Sequence, residues 1–130
     1  MFLGDYFQNI QATYKKFFFS GISFDSTQIK KNYIFFAIKG NKIDGNDFIS
    51  SAIINGAKIV VTEKKINRLK NGILFIHSNN IRKLLAEISF KINNQIPDNI
   101  IAVTGTNGKS SIADFYYQIL DLNNKKVASI

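Results

Sequence analysis

Apolar residues recur along this chain with two different periods, and the switching between them lays out an α/β order. Leu3, Tyr6, Phe7 and Ile10 fall at i, i+3, i+4 and i+7, which predicts a short amphipathic N-terminal helix. Phe17–Phe19 and Ile22–Phe24 read as extended segments broken by Gly21. Tyr33–Ile38 (YIFFAI) is a continuous apolar run, the pattern of a strand covered on both faces. Gly40 and Gly45 bound a polar loop, after which Asn46 or Asp47 can cap a helix. The inner face of that helix is Ile49, Ala52 and Ile53, and Gly56 is its stop. Lys58–Thr62 and Gly72–Ile76 are predicted strands. Asn79 or Asn80 then caps a helix with Ile81, Leu84, Leu85, Ile88 and Ile92 on one face, ending near Asn93-Asn94.

The single proline, Pro97, sits in the polar segment Gln95–Asn99 and marks the expected domain boundary. Beyond it, Ile100–Thr104 (IIAVT) has the β-branched composition of a buried parallel strand. A glycine-rich turn follows, then a helix from about Ser110 to Leu122 with Ile112, Phe115, Tyr116 and Ile119 on one face. Lys126–Ile130 (KVASI) reads as the next strand. The expected organisation is therefore a small α/β domain over residues 1–97 and the opening of a second, parallel-sheet domain over 98–130. A strand–helix–strand unit cannot cover its own apolar faces, so the second part is expected to be incomplete and the chain a fragment.

The turn between that strand and helix carries the clearest chemistry. Thr104-Gly105-Thr106-Asn107-Gly108-Lys109-Ser110-Ser111 combines glycines, a lysine and hydroxyls at a helix start. Glycines let successive N–H groups converge on oxygen atoms, and the helix N-terminus adds partial positive charge. In that arrangement Lys109 faces the β- and γ-phosphates, and the Ser110 hydroxyl can ligate Mg²⁺. Thr106, Asn107 and Ser111 are further donors. Val103 stands where the longer G-x-x-x-x-G-K-[ST] pattern has its first glycine, so the loop is a short G-x-x-G-K-S variant.

Composition narrows the class without changing this picture. The 130 residues include no Cys, which excludes a disulfide scaffold and thiolate metal sites. A hydrophobic fraction of 45% excludes a disordered chain. No apolar stretch approaches the roughly 18–20 residues of a membrane span, and the first residues lack a signal-peptide pattern, so a cytoplasmic protein without membrane insertion is expected. The net charge of +8 raises the question of nucleic acid. Arg68 and Arg82 are the only arginines, and the lysines are scattered rather than gathered in a stripe. Solvated surface lysines are the expectation, and a nucleic-acid binder is the weaker alternative. His77 reads as a strand-end loop residue and Phe17–Phe19 as core or domain interface.

The loop Thr104–Ser111 closely resembles the T-G-T-N-G-K-[TS]-[TS] ATP loop of the Mur ligases and their folylpolyglutamate synthase relatives. Gly21-Ile22-Ser23-Phe24-Asp25-Ser26 resembles the D-S-R segment of the Mur ligases. Tyr33–Ile38 with Gly40–Ile49 resembles their L-F-x-A-x-x-G-x-x-x-D-G-x-x-F-I segment, and Gly56–Val61 their G-A-x-A-V-V strand entry. The order and spacing are most similar to the branch that adds the third residue of the peptidoglycan stem peptide, and the resemblance spans nearly the whole chain. The D-Ala-D-Ala-adding branch is the alternative within the family, and a non-catalytic UDP-nucleotide-binding module is the alternative outside it.

The resemblance implies a UDP-binding domain followed by the truncated start of a P-loop-type ATP-binding domain. Phe24, Ser26, Asn41, Lys42 and Ile43 would contact the UDP end of a UDP-muramoyl-dipeptide. Gly105, Thr106, Asn107, Gly108, Lys109, Ser110 and Ser111 would hold ATP, with Lys109 as the catalytic cation and Ser110 on Mg²⁺. The implied partners are the UDP-N-acetylmuramoyl-dipeptide and an amino acid, and the implied state is a monomer. Thr27 replaces the arginine of D-S-R, Asn41-Lys42 and Asn46 stand where relatives often carry His or Gln, and Ser110-Ser111 replaces Thr-Thr.

Overall fold

A computed structural model describes residues 1–93 and 97–129 of the chain. It divides into two compact units, Met1–Ile96 and Pro97–Ile130. The first unit is built on a five-stranded sheet of β1 (Gly21–Ser23), β2 (Tyr33–Phe36), β3 (Ala57–Thr62), β4 (Arg68–Lys70) and β5 (Ile73–His77), in the spatial order β1-β2-β3-β5-β4. The pairs β1–β2, β2–β3 and β3–β5 are parallel, and β4 joins β5 antiparallel. Helices α1 (Leu3–Tyr6), α2 (Ile49–Ile54) and α3 (Ile81–Ile92) complete this unit, and α4 (Lys109–Leu122) belongs to the second.

The continuous apolar runs become strands covered on both faces, because alternate side chains leave a strand in opposite directions. On β2 and β3, Ile34, Phe36, Ile59 and Val61 pack with Leu3, Phe7 and Phe19 and with Ile81 and Ile88 of α3. Phe35 and Val60 pack on the other side with Ala52 of α2, flanked by Ile49 and Ile53. Burying one such Ile, Leu or Phe side chain contributes about 1.5–3 kcal/mol, so these two clusters are what hold the sheet between its helices. The amphipathic faces expected for α2 and α3 are the ones that are buried. The N-terminal periodicity produces only one turn of helix, and Tyr6 and Ile10 still lie against the core.

Five sequence expectations differ from the structure. Gly21 opens β1 rather than interrupting it, because the Tyr33 ring of the neighbouring strand occupies the space a side chain would need. Neither Asn46 nor Asp47 caps α2: its N-cap position is Phe48, without a side-chain cap, and the capping side chain is Asp44, which starts the 3₁₀ turn Gly45–Phe48 ahead of α2 and accepts the Asn46 N–H. Strand β4 was not expected; it forms a hairpin with β5 through Asn71-Gly72, both with positive φ as a type I′ turn requires. Residues 100–104 form no strand, and neither do residues 126–129; main chain adopts a ladder only beside a partner, and among the described residues none pairs with these segments. Ile100 and Ile101 are accordingly exposed. The expected end of α3 at Asn94, the residues Gln95 and Ile96 of the boundary segment, and Ile130 lie outside the described residues.

Candidate functional site

Two sets of loops carry the candidate residues, one in each unit. In the first, β1, β2, β3 and β5 run parallel, so the loops that follow them emerge from one edge of the sheet. Phe24 and Ser26 follow β1, and Asn41, Lys42 and Ile43 follow β2, its hydrogen-bonded neighbour. The structure thus places both predicted UDP-contact groups on the same edge. This is the edge where open α/β sheets bind ligands.

The β1 loop is set by Asp25. Its Oδ1 accepts the Thr27 N–H and the Thr27 hydroxyl, each at 2.8 Å, and caps the 3₁₀ turn Ser26–Gln28. These bonds, the hydroxyl first, hold the Asp25 carboxyl below its ordinary pKa. Thr27 therefore supplies Asp25 with both of its local donors. Ser26 is buried, and its carbonyl accepts the Asn55 side-chain amide at 2.8 Å. Phe24, by contrast, is 65% exposed.

The β2 loop is a tight reversal. Lys39 and Asp44 form an isolated antiparallel bridge, and inside it the Gly40 N–H donates to the Ile43 carbonyl at 2.9 Å. Asn41, Lys42 and Ile43 are left exposed at its tip. Gly45 lies so close to Ile38 that a Cβ would stand 2.5 Å from the Ile38 carbonyl oxygen, which requires glycine there. Asp44 Oδ1 accepts the Asn46 N–H at 2.8 Å and the Asn46 side-chain amide at 2.7 Å. These bonds, with smaller help from Lys39 and Lys64, lower the Asp44 pKa.

Several residues outside the predicted set touch this loop. The Thr62 hydroxyl donates to Asn46 Oδ1 at 2.8 Å, and Arg82 Nη2 of α3 donates to the Lys39 carbonyl at 3.3 Å. His77 ends β5 with Nε2 beside Asn79 Oδ1 at 2.9 Å, and its main-chain N–H donates to Asn67 Oδ1. Its Nδ1 is buried and, among the described residues, has no hydrogen-bond partner. A shallow groove lined by Phe2, Gly4, Asp5, Lys15 and Lys16 shares no residue with either candidate loop.

In the second unit the loop Thr104–Ser111 leads directly into α4. Gly108 is the N-cap residue with φ +75, a conformation that L side chains rarely adopt. It has no side chain, so no side-chain cap occupies the first N–H groups of the helix. Lys109 Nζ donates to the carbonyls of Gly105 and Thr106, which turns the ammonium back over the loop. All residues from Thr104 to Ser111 are exposed. Main-chain N–H groups at a helix N-terminus and an ammonium beside them are features that favour anions in general.

The Ser110 hydroxyl, in the first turn of α4, is a hard oxygen donor of the kind Mg²⁺ accepts. Among the described residues no cluster of three carboxylates or histidines could hold a metal. Also among the described residues, no helix is long and apolar enough to cross a membrane.

Known proteins are similar to this chain in sequence and in fold. The UDP-N-acetylmuramoyl-L-alanyl-D-glutamate–2,6-diaminopimelate ligase of Rickettsia typhi is 38% identical over 122 residues, covering 94% of this chain and 24% of the relative. The ligase of the same name from Fusobacterium nucleatum is 41% identical over 95 residues, 72% of this chain and 19% of the relative. The chain thus spans about a quarter or less of the length of these curated relatives. Among solved structures, a UDP-N-acetylmuramoyl-L-alanyl-D-glutamate–2,6-diaminopimelate ligase superposes with a TM-score of 0.73 at 23% identity, over 95% of this chain and 26% of that one. The MurF ligase of Thermotoga maritima, solved in complex with ADP, gives 0.60 at 25% identity over 78% of this chain and 23% of that one. The profile of the Mur ligase family, catalytic domain, matches residues 19–104, from the end of the Phe17–Phe19 run to the first residue of the Thr104–Ser111 loop. With that match, and relatives aligned over nearly its whole length, the chain belongs to the Mur ligase family.

Proposed function

We propose that the chain carries the UDP-substrate-binding domain, over residues 1–97, and the opening of the ATP-binding domain, over 98–130, of an ATP-dependent acid–amino-acid ligase of peptidoglycan synthesis. The substrate is UDP-N-acetylmuramoyl-L-Ala-D-Glu, and the added third residue is meso-diaminopimelate or L-lysine. The names of the relatives weigh toward diaminopimelate. The observation that carries the reading is the phosphate loop, with α4 uncapped by any side chain and Lys109 poised over Gly105 and Thr106.

The chemistry is amide formation through an acyl phosphate. A D-Glu carboxylate oxygen attacks the γ-phosphorus of ATP and ADP leaves. The amine of the amino acid then attacks the acyl carbon, and the tetrahedral intermediate expels phosphate. Lys109 leaves its loop carbonyls to meet the β- and γ-phosphates, where its charge offsets the charge that develops on transfer. The main-chain N–H groups of Gly108–Ser111 orient the phosphates, and Thr106 and Asn107 add donors. Bound Mg²⁺, ligated by Ser110, supplies Lewis-acid neutralisation of the same oxygens. Phe24, Ser26, Asn41, Lys42 and Ile43 hold the UDP end from the sheet edge. The protein works in the cytoplasm as a monomer, and the 130 residues alone do not catalyse ligation.

Calorimetric titration of the chain with UDP and with Mg-ATP tests this. Both ligands are expected to bind, and Lys109→Ala is expected to weaken ATP at least tenfold while leaving UDP unaffected. Unchanged ATP affinity in Lys109→Ala would remove the ATP role and leave a UDP-binding module. Amide-forming turnover by the 130-residue chain would overturn its assignment as catalytically incomplete.

A further inference from the structure

Thr62 ends β3, the middle strand of the sheet, directly after the buried Val60 and Val61, and is itself 1% exposed. A valine has the same branched shape and would bury there without a polar atom. A buried hydroxyl is tolerated where its hydrogen bonds are made, and the partners it finds show what it does. It donates to Asn46 Oδ1 at 2.8 Å and accepts the Lys64 N–H at 3.2 Å, while the Thr62 carbonyl accepts the Ser78 N–H at 3.0 Å. One residue of the core thereby ties together the loops that follow β2, β3 and β5.

The bond to Asn46 also sets the direction of an amide. With Oδ1 taken by Thr62, the Asn46 side-chain NH₂ faces Asp44, where it donates to the carboxylate at 2.7 Å. The reversed amide would turn its oxygen toward that carboxylate and repel it. Asp44 in turn closes the Lys39–Asp44 bridge at the base of the loop. A chain of contacts therefore runs from the rigid strand to the turn that displays Asn41, Lys42 and Ile43. A loop held in place before a ligand arrives loses less entropy on binding it.

We propose that Thr62 is a positioning residue that, through Asn46 and Asp44, holds the 39–44 loop in the form that receives the UDP end of the substrate. It rests on the reading of Asn41, Lys42 and Ile43 as UDP contacts. Thr62 touches no substrate itself; its effect passes through Asn46.

The test uses the full 130-residue chain with Thr62→Val and Thr62→Ser, UDP as the probe, and amide hydrogen exchange by NMR. Thr62→Val is expected to weaken UDP about tenfold and to speed exchange at the Gly40 and Gly45 amides by a similar factor, with the Val60 amide in the core unchanged. Thr62→Ser, which keeps the hydroxyl, is expected to restore both. Slow exchange and full affinity in Thr62→Val would overturn the proposal. So would equal acceleration at Val60, which would make the role one of general stability. A loosened loop with unchanged UDP affinity would overturn the positioning role and leave Thr62 a loop anchor. Absence of UDP binding by the unsubstituted chain would remove the substrate reading itself, and the proposal with it, whatever exchange shows.

Discussion

In α3, Ile81 and Ile88 are 1% and 0% exposed, whereas in α4 Ile112, Phe115 and Ile119, repeating with the same helical spacing, are 56%, 64% and 59% exposed. The two helices cannot be told apart by period. What separates them is the surface each meets inside its own unit. The face of α3 lies on Ile34, Ile59 and Leu74 of a paired sheet, while among the described residues the segment 100–104 before α4 makes no ladder on which a helix could rest. An amphipathic pattern states which face needs covering. Whether it is covered depends on residues elsewhere. Their N-termini differ in a matching way: Asn80 Oδ1 accepts the Lys83 N–H at 2.9 Å, whereas Gly108 offers no cap. One helix start is closed by a side-chain cap and the other is not.

The largest expected effect comes from reversing burial. Ile88→Asp places a charge among Leu74, Ile81 and Phe19 and should cost about 4 kcal/mol or more, enough to unfold the first unit. Ile119→Asp should change stability by no more than about 0.5 kcal/mol. Urea unfolding read by hydrogen exchange in β3 and α4 measures both, and equal sensitivity at the two sites would break the comparison. Next in size is the cap. Asn80→Ala should cost about 1 kcal/mol in the same assay, while Ser110→Ala in the first turn of α4 should leave stability within about 0.5 kcal/mol and weaken Mg-ATP binding. A matching loss in both helices would show that α4 is capped after all.

The smallest effect is that of pH. Asp25 and Asp44 have folded pKa values below their unfolded ones, so each stabilises the fold above the ordinary carboxylate pKa and ceases to as pH falls through the lowered value. The urea midpoint of the first unit should be flat above about pH 5 and decline below about pH 4. Asp44→Asn should flatten part of that decline. An unchanged slope in the variant would separate the carboxylate from the loop geometry.

The sheet and the glycine turn that leads into α4 were legible because their signals are contiguous. Tyr33–Ile38 and Lys58–Thr62 announce doubly covered strands by composition alone, and Gly108-Lys109-Ser110 needs only its own neighbours to take shape. The Asn71-Gly72 pair between Leu69 and Ile73 is a two-residue hairpin signal, and it is the one that joins β4 to β5. Thr62 and Arg82 could not be read this way. They reach the 39–46 region across 16 and 43 residues of sequence, through contacts that exist only once the sheet is assembled. The same limit explains residues 100–104, whose β-branched composition expresses a preference for a ladder but cannot provide the neighbouring strand.

Strand β4 closes one side of the sheet with Arg68 and Lys70, both exposed, beside the unpaired main-chain groups of an edge. Two molecules approaching edge to edge there bring like charges together before any hydrogen bond can form, so the edge resists templating a further strand. That protection is electrostatic and shrinks as ions shorten its range to about 8 Å at physiological ionic strength and about 3 Å at 1 M. Concentrated samples of this protein should therefore stay dispersed in dilute buffer and begin to self-associate as salt is raised. That order is the reverse of what a chain clumping through its cations onto anionic contaminants would show.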